Sequence, residues 1–416
     1  MRGRLFALAV LASAPLWAAK PVAKWDVVPY QRIRNVFNAG VVAFHSSALK
    51  VEFFVNGQSV FVAAEPTLNP QTKVKEYVFP FDAAKRKDGS VRLSAKAVAG
   101  DGELELPEIV LYVDREGTMG SHATVWVDGT NGNDFSEGTE SRPLKTIKQA
   151  LAKAGDGGTI YLMASADYRV DRMGGGSDRK FWTTICAAPG VKMKDVRIKG
   201  GRTGTDKLRF KDVQIFCDVE KGQGYVLGGV DANSSCWLDN CIVSNLRKRH
   251  AAYTYTFGNK LVGYVTGGAT FDMGTGPCCR IVRNHRMKML SADPFTASDT
   301  LAVNCQVEDV HASKDSDEPA FHRSQAVFGG WTEGVILYNV KGRDCWCNGL
   351  VGVKLRDSAF VDVEIETLGD RFRSRYAGEM DNVIFRNVQI KGQEMEWFKS
   401  VNGVGDFSPS GVTVVN

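Results

Sequence analysis

A short degenerate repeat recurs through the C-terminal two-thirds of this 416-residue chain, and no other feature constrains its fold as strongly. Each copy starts with Asp or Asn, followed by an apolar residue, an outward-facing residue and a second apolar residue. Alternation at period two directs both apolar side chains to one side of a strand. The leading Asp or Asn suits a corner, where its side chain can hydrogen-bond the turning backbone. The copies occupy residues 195–198, 212–215, 240–243, 304–307, 339–340, 362–365 and 387–390.

A recurring strand unit of this kind is the sequence signature of a solenoid, in which each turn packs on its neighbours. The intervals between copies are irregular, so loops of different length must leave the turns, and such loops commonly carry function. We expect the apolar residues of the copies to be buried and stacked in columns. Those residues are Val196, Ile198, Val213, Ile215, Ile242, Val307, Val363, Ile365, Val388 and Ile390.

The solenoid pattern is preceded by a distinctive segment at residues 125–162. A strand at 125–127 leads into a loop rich in Gly, Asn and Asp, then into a stretch with helical periodicity and a second strand at 159–162. This succession resembles the first segment of secreted right-handed parallel β-helix proteins of the pectate-lyase-like type. The resemblance implies an all-β fold, a right-handed parallel β-helix. The open end of the first β-helix coil must be protected. A short helix can cover this end with its apolar residues Ile147, Ala150, Leu151 and Ala154.

The N-terminal part of the chain follows a different pattern. Residues 24–115 alternate as short strands broken by turns, and Asn56-Gly57 between two such strands is a strong hairpin signal. This spacing predicts a small β-sandwich. The order of strands and turns resembles bacterial immunoglobulin-like modules, which implies a spacer or a glycan-contacting adaptor.

Four segments are predicted along the chain. Residues 1–19 form a signal peptide, because a basic start precedes an apolar run and small residues. Residues 20–116 form the immunoglobulin-like sandwich, 117–123 a linker and 124–416 the β-helix. Few contacts ought to cross a short Gly-containing linker, so we expect a fragment starting at Ser121 to fold independently.

Charge and hydropathy limit which binding partners and which cellular location we expect for this protein. The net charge of +5 is small and evenly spread, which argues against a nucleic-acid partner. No later stretch reaches the roughly 18 apolar residues of a membrane helix, so no membrane insertion is expected. The expectation is a secreted monomer, whether periplasmic, cell-surface or extracellular.

The nine cysteines all lie in the C-terminal two-thirds. Export permits disulfides, but several of these cysteines sit inside strand-like runs, where a thiol behaves as a small apolar side chain. We expect most of them to pack in the core, with Cys236 and Cys241 as a possible bridge. Their spacing makes no credible zinc site.

The most polar interruption of the strand pattern is residues 311–325. It carries Asp315, Asp317, Glu318 and His322, groups suited to acid–base cleavage of a glycosidic bond. Carboxylates are also calcium ligands, so a Ca²⁺ site is left open, and a solvated loop would have the same composition. The segment resembles a stretch of secreted β-helix proteins in which H-P-D-x-H-Q precedes a strand. Here Pro319 and His322 match, whereas Glu318 and Ala320 replace the first His and the Asp.

The same resemblance brings two further stretches onto neighbouring turns. Asn348 stands where the related stretch has Gln, and Arg371, Arg373 and Arg375 alternate with other residues, so their guanidiniums share one side of a strand. The sequence predicts a groove that clamps uronate or sulfate groups; a basic solvated rim is the alternative. The predicted groove contains His322, Arg323, Gln325, Asn348, Arg371, Arg373, Arg375 and Tyr376.

The leading functional hypothesis is a polysaccharide-active protein whose substrate is acidic. In a lyase, Arg373 or Arg375 would neutralise the uronate, and His322 or Tyr376 would remove the α-proton. In a hydrolase, Asp315, Asp317 and Glu318 are the candidate carboxylates. The alternative is a non-catalytic glycan-binding or cell-surface protein, which the replacement of the motif's His and Asp favours. A purely structural or adhesin role is the third hypothesis.

Overall fold

The computed structural model describes most of the chain in separate ranges. These ranges are residues 20–100, 102–165, 167–170, 179–203, 206–219, 222–229, 234–246, 252–258, 260–268, 270–276, 278–290, 295, 299–310, 331–345, 354–367, 379–391 and 412–415. The predicted signal peptide, residues 1–19, lies outside them.

The N-terminal part is a β-sandwich of two sheets, with sheet orders β1-β3-β7-β6 and β2-β9-β8-β4-β5. Its strands are β1 (Val22–Trp25), β2 (Arg32–Ile33), β3 (Val36–Phe44), β4 (Leu49–Val55), β5 (Gln58–Ala63), β6 (Thr67–Leu68), β7 (Lys75–Asp82), β8 (Gly89–Ala99) and β9 (Gly102–Val113), with a 3-10 turn at Ala83–Lys85. The Asn56-Gly57 hairpin joins β4 to β5 as predicted. The immunoglobulin-like assignment itself stays a prediction.

The rest of the chain is a parallel β-helix, as the repeat predicts, and each coil contributes strands to up to three faces. The face that contacts the sandwich, here the covered face, contains β10 (Thr124–Val127), β11 (Thr159–Leu162), β13 (Thr183–Ala187), β16 (Leu208–Lys211), β19 (Ser234–Asp239), β22 (Leu261–Thr266), β24 (Cys279–Arg283) and β31 (Val412–Val415). The next face, here the polar face, contains β12 (Tyr168–Arg169), β14 (Arg197–Lys199), β17 (Gln214–Cys217), β20 (Ile242–Asn245), β23 (Thr270–Phe271) and β25 (Arg286–Leu290).

A third face follows the polar face along the chain. It contains β15 (Gly201–Thr203), β18 (Gly222–Gly229), β21 (Ala252–Phe257) and β27 (Trp331–Glu333). In the last coils, single long strands run through the corners and contribute to more than one face. These strands are β26 (Leu301–Val310), β28 (Ile336–Cys345), β29 (Lys354–Thr367) and β30 (Glu379–Lys391). Equivalent positions of successive coils pair in parallel throughout.

The predicted interior columns are confirmed at most positions. Val196, Ile198, Val213 and Ile215 are fully buried, as are the equivalent residues of later coils, Val307, Val363 and Ile365. Val388 is half-buried against the same core, and the side chain of Ile390 lies outside the described residues.

The prediction for Ile242 is wrong. Its side chain is 36% exposed, whereas Cys241 and Val243 on either side of it are buried. Ile242 is the third residue of its copy, and strand alternation points that position away from the core. The repeat template itself therefore holds, and the copy at 240–243 fills its two inward positions with Cys and Val.

In the copies from residues 212–215 onwards, the leading Asp or Asn marks a corner, but for a different reason from the one expected. From Asp212 to Asn387 these residues have φ between 50° and 55°, a left-handed conformation that Asn and Asp tolerate better than most residues. Their side chains bond to the equivalent residue of the neighbouring coil rather than to the turning backbone. Asn240 donates to Asp212 at 2.7 Å and Asn304 to Asn284 at 2.8 Å. The repeat thus selects residues for both backbone conformation and contact between coils.

Helix α1 (Ile147–Ala154) covers the first coil, as predicted. Its inward residues Ile147, Ala150, Leu151 and Ala154 are all buried in the β-helix core. The side chain of Thr146 accepts a hydrogen bond from Gln149 N at the helix start, a standard N-cap arrangement. Asp134 in turn accepts from the backbone of Lys145 and Thr146, which ties the preceding loop to the cap.

The cysteines whose side chains are described are all free, and six of the seven are buried. The possible bridge between Cys236 and Cys241 is not formed. Cys241 instead donates a hydrogen bond to the carbonyl of Phe210 at 3.2 Å, and burial raises the pKa of its thiol to about 12. Five of the described cysteines fill inward positions of the coils as small apolar side chains: Cys217, Cys236, Cys241, Cys279 and Cys305.

The sandwich lies along the side of the β-helix, contrary to the expectation that few contacts cross the linker. A row of apolar side chains on the outer surface of the covered face packs against Val22, Val42, Phe44 and Val74 of the sandwich. A second cluster joins Val28 to the aromatic end of the same face. The covered row runs in register through Tyr264, Ile281, Leu301, Ile336, Ala359 and Ile384. These apolar residues alternate with inward ones, which a one-sided core pattern does not predict.

A buried acidic cluster sits at this contact. Asp26, whose side chain is fully buried, accepts from Arg283 of the β-helix at 3.0 Å. Glu76 is 2% exposed and accepts from Asn69 and Thr72, both at 3.0 Å. Burial, followed by repulsion from Asp26, raises the pKa of Glu76 from 4.5 to about 8. A Cβ at Gly40 would lie 2.3 Å from Glu76 Oε2, so any larger residue here would displace the buried Glu76 carboxyl group.

Glu76→Gln is expected to make the stability of the protein less dependent on pH between about 4.5 and 8. The native state retains a proton that the unfolded state releases above 4.5, so wild-type stability falls as pH rises through this window, by up to about 1.4 kcal/mol per pH unit. Gln keeps the acceptor for Asn69 and Thr72 and cannot ionise. Calorimetric melting from pH 5 to 9 should show a flatter profile than wild type. Glu103→Gln, at an exposed position, should match wild type, and parallel profiles for all three proteins would contradict the assignment.

His285→Leu is expected to stabilise the protein by about 1 to 3 kcal/mol. His285 is 2% exposed in the β-helix core, and neither ring nitrogen has a hydrogen-bond partner among the described residues. Burial lowers the pKa of His285 to about 3, so below pH 6.5 the unfolded state binds a proton that the native state does not. Wild-type stability therefore falls as pH drops below 6.5. The difference in stability between His285→Leu and wild type should grow accordingly. Urea unfolding at pH 7 and pH 5 measures both effects. A variant less stable than wild type at both pH values would show that the imidazole has a favourable role.

Candidate functional site

The residues that the sequence predicts as catalytic or substrate-binding lie outside the described residues. They are Asp315, Asp317, Glu318, His322, Arg323, Gln325, Asn348, Arg371, Arg373, Arg375 and Tyr376. The assignment of these residues to a site therefore stays a prediction. The strands on both sides of each segment are described, however, and they determine where the segments leave and rejoin the β-helix.

The three segments that carry these residues begin at adjacent strand ends of the polar face. Val310 of β26 pairs with Cys345 of β28, and Cys345 pairs with Thr367 of β29. Residues 311–330, 346–353 and 368–378 follow these positions in the chain. The three segments therefore start side by side on successive coils, which are about 4.8 Å apart.

The segments also rejoin the β-helix side by side. Trp331 pairs with Lys354, and Lys354 pairs with Glu379, at the start of the third face. All three segments thus connect the polar face to the third face at the same corner. We call this place the loop corner. It lies between the strand ends at Val310, Cys345 and Thr367 and the strand starts at Trp331, Lys354 and Glu379.

The polar face beside the loop corner carries paired charges. Glu308 bonds to Arg286 at 2.6 Å and lies 3.5 Å from Lys288. The hydrogen bond from Arg286 lowers the pKa of Glu308, so this carboxylate stays ionised and is unsuited to act as a general acid. Lys341 and Glu364 form a looser pair at 3.9 Å one coil further on.

One carboxyl group that the sequence analysis missed has a strongly shifted pKa. Burial raises the pKa of Asp272 to about 7, and its carboxylate accepts a hydrogen bond from Asn245 N at 2.9 Å. A carboxyl group that titrates near neutrality can exchange protons at physiological pH. Asp272 lies outside all copies of the repeat, so the sequence pattern does not single it out. Its burial depends on residues 272–276 crossing to the third face, where Gly274 pairs with Tyr255, and only the folded chain reveals that.

Two aromatic residues of strand β21, Tyr255 and Phe257, have rings that pack within the β-helix. Tyr255 stacks on Tyr225 of the preceding coil with ring centroids 6.1 Å apart, and Phe257 is fully buried in the core. These two rings stabilise the third face, so they do not form an open platform for a sugar.

The described residues contain no group of three or more His, Cys, Asp or Glu side chains arranged to hold a metal ion. They also contain no helix long and apolar enough to cross a membrane. The candidate calcium ligands at 315–318 belong to the first of the three segments, outside the described residues, and stay a prediction.

No protein-family description matches the sequence, and no curated protein matches it. Among solved structures, the chain is similar to the native GH136 lacto-N-biosidase from Eubacterium ramulus, at 10% identity and a TM-score of 0.36, over 64% of this chain and 55% of that one. It is also similar to a rhamnogalacturonan lyase, at 13% identity and a TM-score of 0.29, over 68% of this chain and 65% of that one.

The chain thus spans little more than half the length of the lacto-N-biosidase. At these scores neither similarity bears on the activity of this protein. The β-helix assignment rests on the parallel register of its own strands.

The sandwich decides which surface of the β-helix can meet a large ligand. It covers the outer apolar row of the covered face from Tyr264 to Ile384. The polar face carries exposed charged residues on the same coils. A polymer that approaches these coils therefore meets the exposed charged residues of the polar face rather than the covered apolar row.

Proposed function

We propose that this protein is secreted and acts on an acidic polysaccharide at the loop corner, as a lyase or a glycoside hydrolase. The observation that carries the proposal is the register of Val310, Cys345 and Thr367. It supports a single site assembled from the three segments that contain His322, Asn348 and Arg375.

Each chemical role follows from the side-chain types in these segments. In a lyase, the guanidinium of Arg373 or Arg375 pairs with the uronate carboxylate and makes the α-proton more acidic, because it stabilises the negative charge that develops. His322 or Tyr376 accepts that proton. In a hydrolase, two of Asp315, Asp317 and Glu318 supply the acid and the base or nucleophile.

Incubation of the purified protein with a panel of acidic polysaccharides tests the proposal. Ultraviolet absorbance of unsaturated products reports a lyase, and new reducing ends without that absorbance report a hydrolase. His322→Ala is expected to abolish product formation while glycan binding persists, because a general base is needed for turnover more than for binding. Turnover that is unchanged in both His322→Ala and Arg375→Ala would remove the loop corner from consideration.

A non-catalytic glycan-binding protein is the second candidate function. Glu318 and Ala320 stand where the resembled motif has His and Asp, and this difference favours binding without cleavage. The same panel separates the two candidates, because a binding protein would retain polysaccharide in an affinity gel and release no product from it.

A further inference from the structure

Three cations cluster on the polar face in the first coils of the β-helix, far from the loop corner. Arg169 pairs in register with Lys199, and Lys199 pairs with Phe216, so these residues occupy one outward row on successive coils. Arg197 lies in the neighbouring outward row of the same strand as Lys199. We call Arg169, Arg197 and Lys199 the basic patch.

The patch has more positive than negative charge. Among the described residues, Arg197 pairs with Asp167 at 3.4 Å, whereas neither Arg169 nor Lys199 forms an ion pair. Arg169 and Arg197 are exposed, and Lys199 is half-buried. Cations held in register on adjacent coils, about 4.8 Å apart, repel each other unless an anion lies between them.

The later coils of the same face show a different arrangement. There Arg286 and Lys288 share Glu308, and Lys341 faces Glu364. The cations of that region are therefore balanced by carboxylates within the protein. In the basic patch, by contrast, Arg169 and Lys199 have no carboxylate partner among the described residues.

The side chain of Arg197 is also held in place. Its guanidinium lies 4.7 Å from the centre of the Phe216 ring, a cation–π contact. A guanidinium can present paired donors to a carboxylate or sulfate.

We infer that the basic patch is a binding subsite for the carboxylate or sulfate groups of an acidic polysaccharide. The inference rests on the proposed function and extends it to a second contact point on the same face. The outward row that starts at Arg169 continues coil by coil through Phe216, Lys288 and Glu308 towards the loop corner. A polymer lying along this row would meet the patch and the loop corner together, and its pyranose rings repeat at about the spacing of the coils.

Two double variants with the same change in net charge test the inference. Arg169→Gln with Lys199→Gln removes two unbalanced cations of the patch, whereas Arg286→Gln with Lys341→Gln removes two cations that have carboxylate partners. Affinity for polygalacturonate and for heparin is measured by affinity gel electrophoresis and titration calorimetry, with neutral galactan and duplex DNA as comparison polymers. Thermal melting checks that each variant is folded.

The patch variant is expected to bind the acidic glycan at least about tenfold more weakly, because each lost charge-assisted contact corresponds to roughly ten- to hundredfold in affinity. The matched control is expected to remain within about twofold of wild type, and added salt should weaken wild-type binding. Equal losses in both double variants would overturn the inference, as would equal binding of neutral galactan. Binding of duplex DNA with the same dependence on the patch would overturn it in favour of a nucleic-acid site.

The outcome also separates this inference from the proposed function. Wild-type protein that binds and cleaves none of the acidic glycans would contradict both. Wild-type protein that binds polygalacturonate or heparin with an affinity unchanged in the patch variant would contradict the subsite alone and leave the loop corner as the place of recognition.

Discussion

A chain that begins at Ser121 and lacks the β-sandwich is expected to be insoluble or aggregated. Removal of residues 20–120 would expose the apolar row on the covered face, which the sandwich buries. Burial of a large apolar side chain contributes about 1.5 to 3 kcal/mol, and an exposed contiguous patch of such residues promotes aggregation. Expression of the fragment, followed by size-exclusion chromatography with light scattering, measures the effect.

A variant of the fragment from Ser121 gives the matched control for this prediction. In this variant Leu301, Ile336 and Ile384 are replaced by Thr. It should be soluble, because these side chains face the sandwich rather than the core. Coexpression of residues 20–116 should also make the unchanged fragment soluble by covering the face in trans. A fragment from Ser121 that is monomeric and melts cooperatively without either aid would contradict the prediction and restore the expectation of independent folding.

Arg283→Ala is expected to destabilise the full chain by about 3 to 5 kcal/mol at neutral pH. Its guanidinium is the ion-pair partner of the fully buried Asp26, which also faces Glu76. Loss of the arginine leaves a buried carboxylate without a compensating charge, and such an isolated charge is costly in a low-dielectric environment. Denaturant unfolding at pH 7 measures the loss.

Arg286→Ala provides the control, because the pair of Arg286 with Glu308 is solvent-exposed and exposed pairs contribute about 1 kcal/mol or less. Arg283→Ala and Arg286→Ala with equal stability at pH 7 would contradict a structural role for the Asp26 cluster.

Several elements follow from local sequence alone. The copies at 212–215 and 362–365 have apolar residues at the right period, and both become buried strands. Strand alternation depends on the backbone of one segment, so it can be predicted without knowing which strands lie beside it. The capping helix at Ile147–Ala154 and the Asn56-Gly57 hairpin are predictable for the same reason.

Other features depend on residues distant in the chain. The outward row from Tyr264 to Ile384 is apolar because another domain covers it, and the buried Asp26 contacts Arg283 although 257 residues separate them. The shifted pKa of Asp272 and the excess charge of the basic patch likewise arise only when coils are stacked in register. None of these properties has a periodic signature that a single sequence reveals.

The sequence by itself therefore determined the class of fold: a β-sandwich followed by a parallel β-helix with corners at Asp and Asn. Period-two alternation is a local demand of the backbone, and a copy of the repeat satisfies it without help from distant residues. Only the tertiary structure decided that the sandwich covers one face, and that the segments after Val310, Cys345 and Thr367 leave from neighbouring coils. Those outcomes depend on which surfaces meet, and that is a property of the packed molecule rather than of any one segment.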